Sequence, residues 1–352
     1  MKKKQFTAID LFCGAGGTTL GLANAGFKVI AGVEINPLAA ATYRANHPKV
    51  KLFERDIKDL TSDDVLLALK LKRGELDLLA GCPPCQGFSS HRTRNRASSI
   101  QDDRNELIFE FLRFVEFTLP KTVMLENVPG LAKDSRISSV RIKLEELGYV
   151  IDEEFAQIKD AANYGVPQRR RRLLIKASRL GVIASPVSNQ NKKTVRDAIS
   201  HLPKPGKSGD PLHDTIEQRT DKVKKIISLV PKNGGSRSEI PREYWLECHK
   251  RNEHCYRDVY GRMNWDEVAP TITGGCHSPS KGRFLHPDQD RAITLREAAI
   301  LQSFPKDYIF CLDNGQQPVA LMIGNAFPPE FIKQHASEYL KHLKEVASES
   351  VA

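Results

Sequence analysis

No apolar run in this 352-residue chain approaches the roughly 20 residues needed to span a bilayer, so we expect no membrane segment. The basic start MKKKQFTAID has no apolar stretch behind it, which argues against a secretory signal. The seven cysteines are odd in number and irregular in spacing, which disfavours a disulfide framework and favours reduced thiols in a cytoplasm. Internal repeats and low-complexity tracts are also missing, which excludes solenoid and fibrous classes.

What the chain does have is positive charge. It carries 53 Lys and Arg residues against 43 Asp and Glu residues, a net charge of +10 and an isoelectric point near 9.2. This balance favours a polyanionic partner, with nucleic acid first. The alternative is a soluble protein that is basic for no specific reason.

Short apolar runs alternate with helical patterns in the first half of the chain. The strand-like runs are FTAIDLF, KVIAGVEI, ELDLLAG, KTVMLENV and RRLLIKAS. Such alternation predicts an α/β fold whose parallel sheet is covered on both faces. Functional groups of such sheets gather where the strands reach their carboxyl ends.

The pattern breaks near residue 185, where a basic stretch rich in Pro, Gly, His and Lys begins. Helical patterns return in TLREAAILQSFP and in PEFIKQHASEYLKHLKEV, and we expect the last of these to pack back on the first domain because an amphipathic helix must bury its apolar stripe. We therefore predict one domain from residues 1–184 plus 288–352 and a smaller, irregular domain from 185–287.

The glycine-rich segment DLFCGAGG lies between a predicted strand and a predicted helix. Glycines here allow a tight turn and close approach of a ligand to the backbone. Glu34 ends the next strand, where an acid in a Rossmann-like fold holds ribose hydroxyls. The spacing is not that of a pyrophosphate loop, since residue 19 is Thr, so a nucleoside is favoured over NAD. Asp56 and Ile57 could contact an adenine; a plain surface turn and a solvated acid are the alternatives.

Cys82 and Cys85 sit three residues apart in GCPPCQGFSS, just past a predicted strand. Four interpretations compete: half of a zinc site, a redox pair, one nucleophilic thiol and an inert cysteine. A zinc site would need ligands from the clusters around Cys248, His254 and Cys276.

Two further features favour the nucleophile. Glu126 follows another predicted strand at the same edge as Cys85, so a thiol and a carboxylate would lie beside a nucleoside loop. The run QRRRR places Arg170 and Arg172 on one face at the start of a strand, where forked guanidiniums suit phosphate and base oxygens. A solvated acid and an exposed basic edge strand are the alternatives.

Seven ordered motifs resemble those of the DNA cytosine-5 methyltransferases: DLFCGAGG, VEINPLA, GCPPCQGFS, ENVPG, YGVPQRRRR, RAITLREAAILQSFP and IGNAFPP. The resemblance covers residues 6–184 and 288–345. It implies a Rossmann-like, S-adenosylmethionine-dependent methyltransferase domain, with 185–287 as a target recognition domain for double-stranded DNA. Cys13 stands where the family often has Ala.

The resemblance also implies residue roles. Cys85 would add to carbon 6 of cytosine, Glu126 would bind and protonate ring nitrogen 3, and Arg170 and Arg172 would contact the base oxygen and nearby groups. The implied contacts to S-adenosylmethionine, which leaves as S-adenosylhomocysteine, are Phe12, Gly14, Ala15, Gly16, Gly17, Glu34, Ile35, Asp56, Ile57, Pro83, Asn325 and Ala326. We also expect DNA contacts from Gln168, Arg92, Arg94 and Arg96, and no metal.

Rival functions differ in substrate or in chemistry. The same reaction on tRNA cytosine is one, a non-catalytic DNA-binding regulator is another, and an NAD oxidoreductase is a distant third. The long insert favours duplex DNA, and the presence of Cys85, Glu126 and the arginines argues against a regulator. We expect a monomer in a prokaryotic cytoplasm, and a cognate restriction endonuclease is a partner that the resemblance allows.

Overall fold

The computed structural model describes residues 5–84, 106–215, 218–251 and 256–349. The chain forms two compact units. The first unit comprises Met1–Asp160, Arg171–Ser188 and Phe327–Ala352, and the second comprises Ala161–Arg170 and Asn189–Ala326. The second unit thus includes residues 288–326, which the sequence pattern assigned to the first domain. The division into 1–184 plus 288–352 and 185–287 remains a prediction.

A seven-stranded sheet forms the centre of the first unit, in the order β3-β2-β1-β4-β5-β7-β6. Its strands are β1 Thr7–Leu11, β2 Lys28–Glu34, β3 Lys51–Glu54, β4 Leu78–Gly81, β5 Thr122–Asn127, β6 Ala156–Asp160 and β7 Arg171–Ser178. The α/β class predicted from the alternating pattern is confirmed.

The sheet departs from the predicted all-parallel arrangement at β7. The first five strands pair in parallel, but β7 pairs antiparallel with both of its neighbours. Only residues 161–170 connect β6 to β7, and a link that short, without a full crossover helix, can join antiparallel but not parallel neighbours.

Three strands are in register near one edge of the sheet, which we call the carboxyl edge. Leu11 of β1 pairs with Gly81 of β4, and Gly81 pairs with Leu125 of β5. All residues of β4 and β5 are buried, as expected for central strands whose sequences are almost continuously apolar. The residues that directly follow these paired positions are therefore neighbours at the carboxyl edge.

The helices of both units are short except for the last. They are α1 Gly17–Ala25, α2 Pro37–Asn46, α3 Ser62–Leu69, α4 Leu107–Thr118, α5 Arg136–Glu146, α6 Val195–Ile199, α7 Pro211–Asp214, α8 Asp221–Leu229, α9 Glu247–Arg251, α10 Leu295–Leu301, α11 Gln316–Asn325 and α12 Pro329–Glu349. A capping box formed by Thr294 and Glu297 begins α10. Among the described residues, none of the helices combines the length and apolar character that crossing a membrane requires.

The C-terminal helix α12 packs on α1 within the first unit, as its amphipathic pattern predicted. Gly21 of α1 lies so close to α12 that a Cβ there would come within 2.5 Å of the Ile332 side chain. Tyr339 donates a hydrogen bond of 3.1 Å to the carbonyl of Val123 in β5. The helix α12 is therefore part of the layer that packs on the sheet.

A fully buried arginine organises the irregular second unit. Arg262 donates to the backbone carbonyls of Val230, Ile227, His286 and Gln289 and pairs with Asp290 at 2.5 Å. Backbone carbonyls without sheet or helix partners must find donors when buried, and one guanidinium supplies five N–H groups. Arg262 therefore supplies donors that regular secondary structure would otherwise provide.

Candidate active site at the carboxyl edge

The glycine loop and Glu34 are joined by backbone hydrogen bonds. The amide of Gly14 donates to one carboxylate oxygen of Glu34 at 2.8 Å, and the amide of Asn36 donates to the other at 2.7 Å. Phe12, Gly14 and Gly16 have positive φ angles of 60°, 53° and 94°, so the chain turns sharply after β1. Burial raises the pKa of Glu34 from its ordinary value. The predicted loop and its predicted acid are thus one structural feature.

Asp10 is a buried carboxylate that the sequence motifs did not single out. One oxygen accepts a hydrogen bond from the Thr19 hydroxyl at 2.7 Å, and Thr19 in turn contacts the hydroxyl of Tyr43 at 2.9 Å. The other oxygen has no hydrogen-bond partner among the described residues. Burial raises the pKa of Asp10 to about 7. A buried carboxylate oxygen without a hydrogen-bond partner among the described residues is suited to accepting a hydrogen bond from a ligand bound beside the loop.

A side chain of α4 holds the segment that follows β3 in place. The Asp56 side chain accepts from the amide of Lys58 at 3.0 Å and begins a short 3₁₀ helix, and Ile57 is buried. The Arg113 guanidinium donates to the carbonyl of Ile57 at 2.6 Å and to that of Leu60 at 3.2 Å. Arg113 was missed at the sequence level, because nothing local marks a helical arginine as a partner of residues more than 50 positions away.

The start of the GCPPCQ segment is anchored on both sides. The amide of Cys82 donates to the carbonyl of Leu11 at 3.3 Å, and the side-chain amide of Asn127 donates to the carbonyl of Pro83 at 3.3 Å. Cys85 itself lies outside the described residues, as do Arg92, Arg94 and Arg96. The structure therefore describes the chain up to the predicted nucleophile but not the nucleophile.

Glu126 and Arg172 form an ion pair at the carboxyl edge, with 2.9 Å between Arg172 Nε and a carboxylate oxygen of Glu126. Their side chains are only 11% and 16% exposed. Glu126 pairs with Leu174 in the antiparallel β5–β7 ladder, so Arg172 lies two residues further along β7 on the same face. Because β7 is antiparallel, its first residues meet the last residues of β5.

Arg170 has different partners from Arg172. It belongs to the second unit, where its buried guanidinium donates to the carbonyls of Ile272 and Gly324, both at 3.1 Å. The sequence pattern placed the two arginines on one face, but β7 begins only at Arg171, so their predicted alternation does not extend to Arg170. This geometry supports an internal bracing role for Arg170.

Gln168 is fully buried in the second unit. Its amide donates to the side chain of Gln302 at 2.7 Å, and its oxygen accepts from the amide of Ile272 at 2.8 Å. The predicted contact of Gln168 with DNA receives no support from these internal bonds. Asn325 and Ala326 end α11 in the same unit, and the carbonyl of Ala326 accepts from Gln302 at 3.3 Å.

The thiols and other possible metal ligands do not come together as a metal-binding group in the described part of the chain. Cys13, Cys82, Cys248, Cys276 and Cys311 are free thiols. No group of three or more His, Cys, Asp or Glu side chains there could hold a metal ion. His254 and Cys255, which a zinc site would have used, lie outside the described residues.

Comparison with known proteins identifies the class. The pattern of the C-5 cytosine-specific DNA methylase family matches residues 6–341, and the chain belongs to this family. The chain is 37% identical over 334 residues to the type II methylase M.HgiDII of Herpetosiphon aurantiacus, covering 91% of each protein. It is 34% identical over 347 residues to the type II methyltransferase M1.HphI of Haemophilus parahaemolyticus, covering 96% of this chain and 87% of that protein.

Solved structures agree with this assignment. A prophage-encoded E. coli protein described as a DNA modification methyltransferase superposes with a TM-score of 0.70 at 25% identity, covering 97% of this chain and all of that one. The Entamoeba histolytica methyltransferase EhMeth shares the fold, with a TM-score of 0.62 at 15% identity over 99% of this chain and 100% of that one. The protein is a DNA cytosine-5 methyltransferase, an enzyme class that uses S-adenosylmethionine.

The raised pKa of Asp10 predicts how stability changes with pH. The folded chain holds a proton up to about pH 7 that the unfolded chain, with an ordinary value of 3.8, has already released. The free energy of unfolding should therefore fall as the pH rises from about 4 to about 7, and Asp10→Asn should remove this contribution. Denaturant unfolding of both proteins across this range measures the difference. Asp63→Asn, which changes an exposed carboxylate of α3, is the control. If the difference in unfolding free energy between wild type and Asp10→Asn does not change with pH, the raised pKa of Asp10 is contradicted.

Proposed function

We propose that this methyltransferase modifies carbon 5 of a flipped-out cytosine in a specific double-stranded DNA sequence, through a covalent bond between Cys85 and carbon 6. The observation that carries this proposal is the Glu126–Arg172 ion pair, located beside the strand end from which the chain continues to Cys85. It supplies a desolvated carboxylate next to the segment of the predicted nucleophile.

The residues around the glycine loop suit the S-adenosylmethionine that the family uses. There is open space where a Cβ of Gly14 would lie, so a ligand can approach the backbone there. Asp10 offers a buried oxygen without a partner among the described residues, and Ile35, next to Glu34 in the chain, is 61% exposed. We propose that the loop, Glu34, Ile35, Asp56, Ile57 and Pro83 hold the cofactor. When bound, it supplies an electrophilic methyl sulfonium.

The chemistry explains why a thiol and a carboxylate are both needed. Carbon 5 of cytosine is a weak nucleophile, and addition of the Cys85 thiolate to carbon 6 makes carbon 5 enamine-like. That addition places negative charge on the ring, which Glu126 offsets by a proton or a strong hydrogen bond at nitrogen 3. Arg172 holds the Glu126 carboxylate in place by charge attraction, which is little screened because both side chains are largely buried. The target atoms lie inside the base stack, so the base must leave the duplex at a cost of a few kcal/mol.

Cys85→Ser gives a direct test of the covalent step. After methyl transfer, a base must take the proton from carbon 5 so that the thiolate can leave carbon 6. Duplex DNA containing 5-fluorocytosine carries fluorine in place of that proton and blocks this elimination, so wild type should form a stable adduct in the presence of S-adenosylmethionine. Cys85→Ser should form none, because a hydroxyl at neutral pH is a far weaker nucleophile than a thiolate. A denaturing gel with labelled DNA measures the adduct. Cys248→Ser, at an exposed thiol, is the control, and an undiminished adduct with Cys85→Ser refutes the assignment.

Sequence specificity is the second part of the proposal. M.HgiDII and M1.HphI are type II enzymes, and we propose a similar role in a restriction-modification system, with residues 185–287 choosing the target. Bisulfite sequencing of DNA from cells that express this chain should reveal one short methylated sequence. Methylation scattered over unrelated sequences would contradict this role.

Arg113 gives a test of the adenine-binding segment. Arg113→Ala removes the donors to Ile57 and Leu60, so the segment that carries Asp56 should loosen and the KM for S-adenosylmethionine should rise about tenfold. The KM for DNA should stay unchanged in steady-state methylation assays. Arg141→Ala, which removes an exposed arginine paired with Glu145 on α5, is the control. An equal rise in both KM values would show a general structural defect instead.

A further inference from the structure

Cys82 lies where the glycine loop and the base-binding carboxylate approach each other. Gly81 pairs with Leu125 in the parallel β4–β5 ladder, so Cys82 and Glu126 are the next residues on adjacent strands. Residues in register on neighbouring parallel strands project to the same face of a sheet. The backbone of Cys82 is fixed by its hydrogen bond to Leu11, the last residue of β1.

The Cys82 thiol contacts both neighbours. Its sulfur lies 3.6 Å from the hydroxyl oxygen of Thr18, which is the second residue of α1 and follows the glycine loop directly. Register places the thiol beside Glu126, and the nearby carboxylate contributes to raising the pKa of the thiol. The Glu126 carboxylate therefore has neighbours of two kinds, a guanidinium from β7 that pairs with it by charge and a thiol from the end of β4.

The environment keeps this thiol protonated. Burial first, and then the negative charges of Glu126 and Asp10, raise the pKa of Cys82 well above its ordinary value. A neutral thiol is a poor nucleophile but retains an S–H donor. Cys82 is therefore suited to donating a hydrogen bond and unsuited to competing with Cys85 for the cytosine ring.

We propose that Cys82 is a positioning residue: its S–H holds the Glu126 carboxylate, and the Thr18 hydroxyl donates to its sulfur, which links the start of α1 to the group that binds cytosine. This inference rests on the proposed role of Glu126. It assigns a function to the first cysteine of GCPPC that differs from that of a zinc ligand, a redox partner or an inert core residue.

Two substitutions separate hydrogen bonding from packing. Cys82→Ala removes the donor and should lower kcat about tenfold, the value of one hydrogen bond to a charged group, with KM for DNA and for S-adenosylmethionine little changed. Cys82→Ser keeps a donor and should retain most of kcat. Cys311→Ala removes a half-buried thiol of the second unit and should behave as wild type. Equal losses in Cys82→Ala and Cys82→Ser, or no loss in either, would overturn the proposal.

Infrared spectroscopy tests the hydrogen bond without any reaction. The S–H stretching band of Cys82, isolated as the difference between wild type and Cys82→Ala, should lie at lower frequency than that of an unbonded thiol. It should move to higher frequency in Glu126→Ala, and an unmoved band would overturn the proposal. A failure of the proposed function is distinguishable, because it would show as an undiminished 5-fluorocytosine adduct in Cys85→Ser, whatever the Cys82 variants do.

Discussion

The candidate site depends on the common register of β1, β4 and β5 at the carboxyl edge. Because Leu11, Gly81 and Leu125 are paired, the residues that follow them are neighbours even though they are far apart in sequence. Sheet hydrogen bonding allows no intermediate register, and a shift by one residue would turn Glu126 to the opposite face. The buried, apolar sequences of β4 and β5 fix that register from both faces.

The antiparallel strand β7 brings Arg172 to the same carboxyl edge. In a parallel strand, Arg172 would begin the strand at the opposite edge from Glu126. The antiparallel pairing of Glu126 with Leu174 instead brings the first residues of β7 to the last residues of β5. One departure from a simple parallel sheet thus provides the cation for the carboxylate. Glu126, Arg172 and the neighbouring Cys82 then form a small polar group whose members come from three strand ends.

Elsewhere, arginines serve as backbone donors more than as charges. Arg113, Arg170 and Arg262 all direct their guanidiniums at main-chain carbonyls. This use is most extensive in the second unit, where short helices and isolated bridges leave many carbonyls without regular partners. The basic composition that pointed to nucleic acid therefore includes arginines that are internal, and net charge alone overstates the surface available to DNA.

Local patterns in the sequence determined the strands, the glycine loop, the terminal helix and the position of Glu126 near the end of its strand. These features depend on side-chain periodicity and on glycine geometry within a few residues, which a single sequence carries directly. Only the tertiary structure decided that Arg172 pairs with Glu126 while Arg170 donates to Ile272 and Gly324, that Gln168 is internal, and that Arg113 donates to the carbonyls of Ile57 and Leu60. Each of these depends on where a strand begins or on contacts between distant segments. Arg170 and Arg172 look equivalent in sequence. Their partners differ because β7 starts between them, at Arg171, and because each buried guanidinium needs hydrogen-bond or ionic partners of its own.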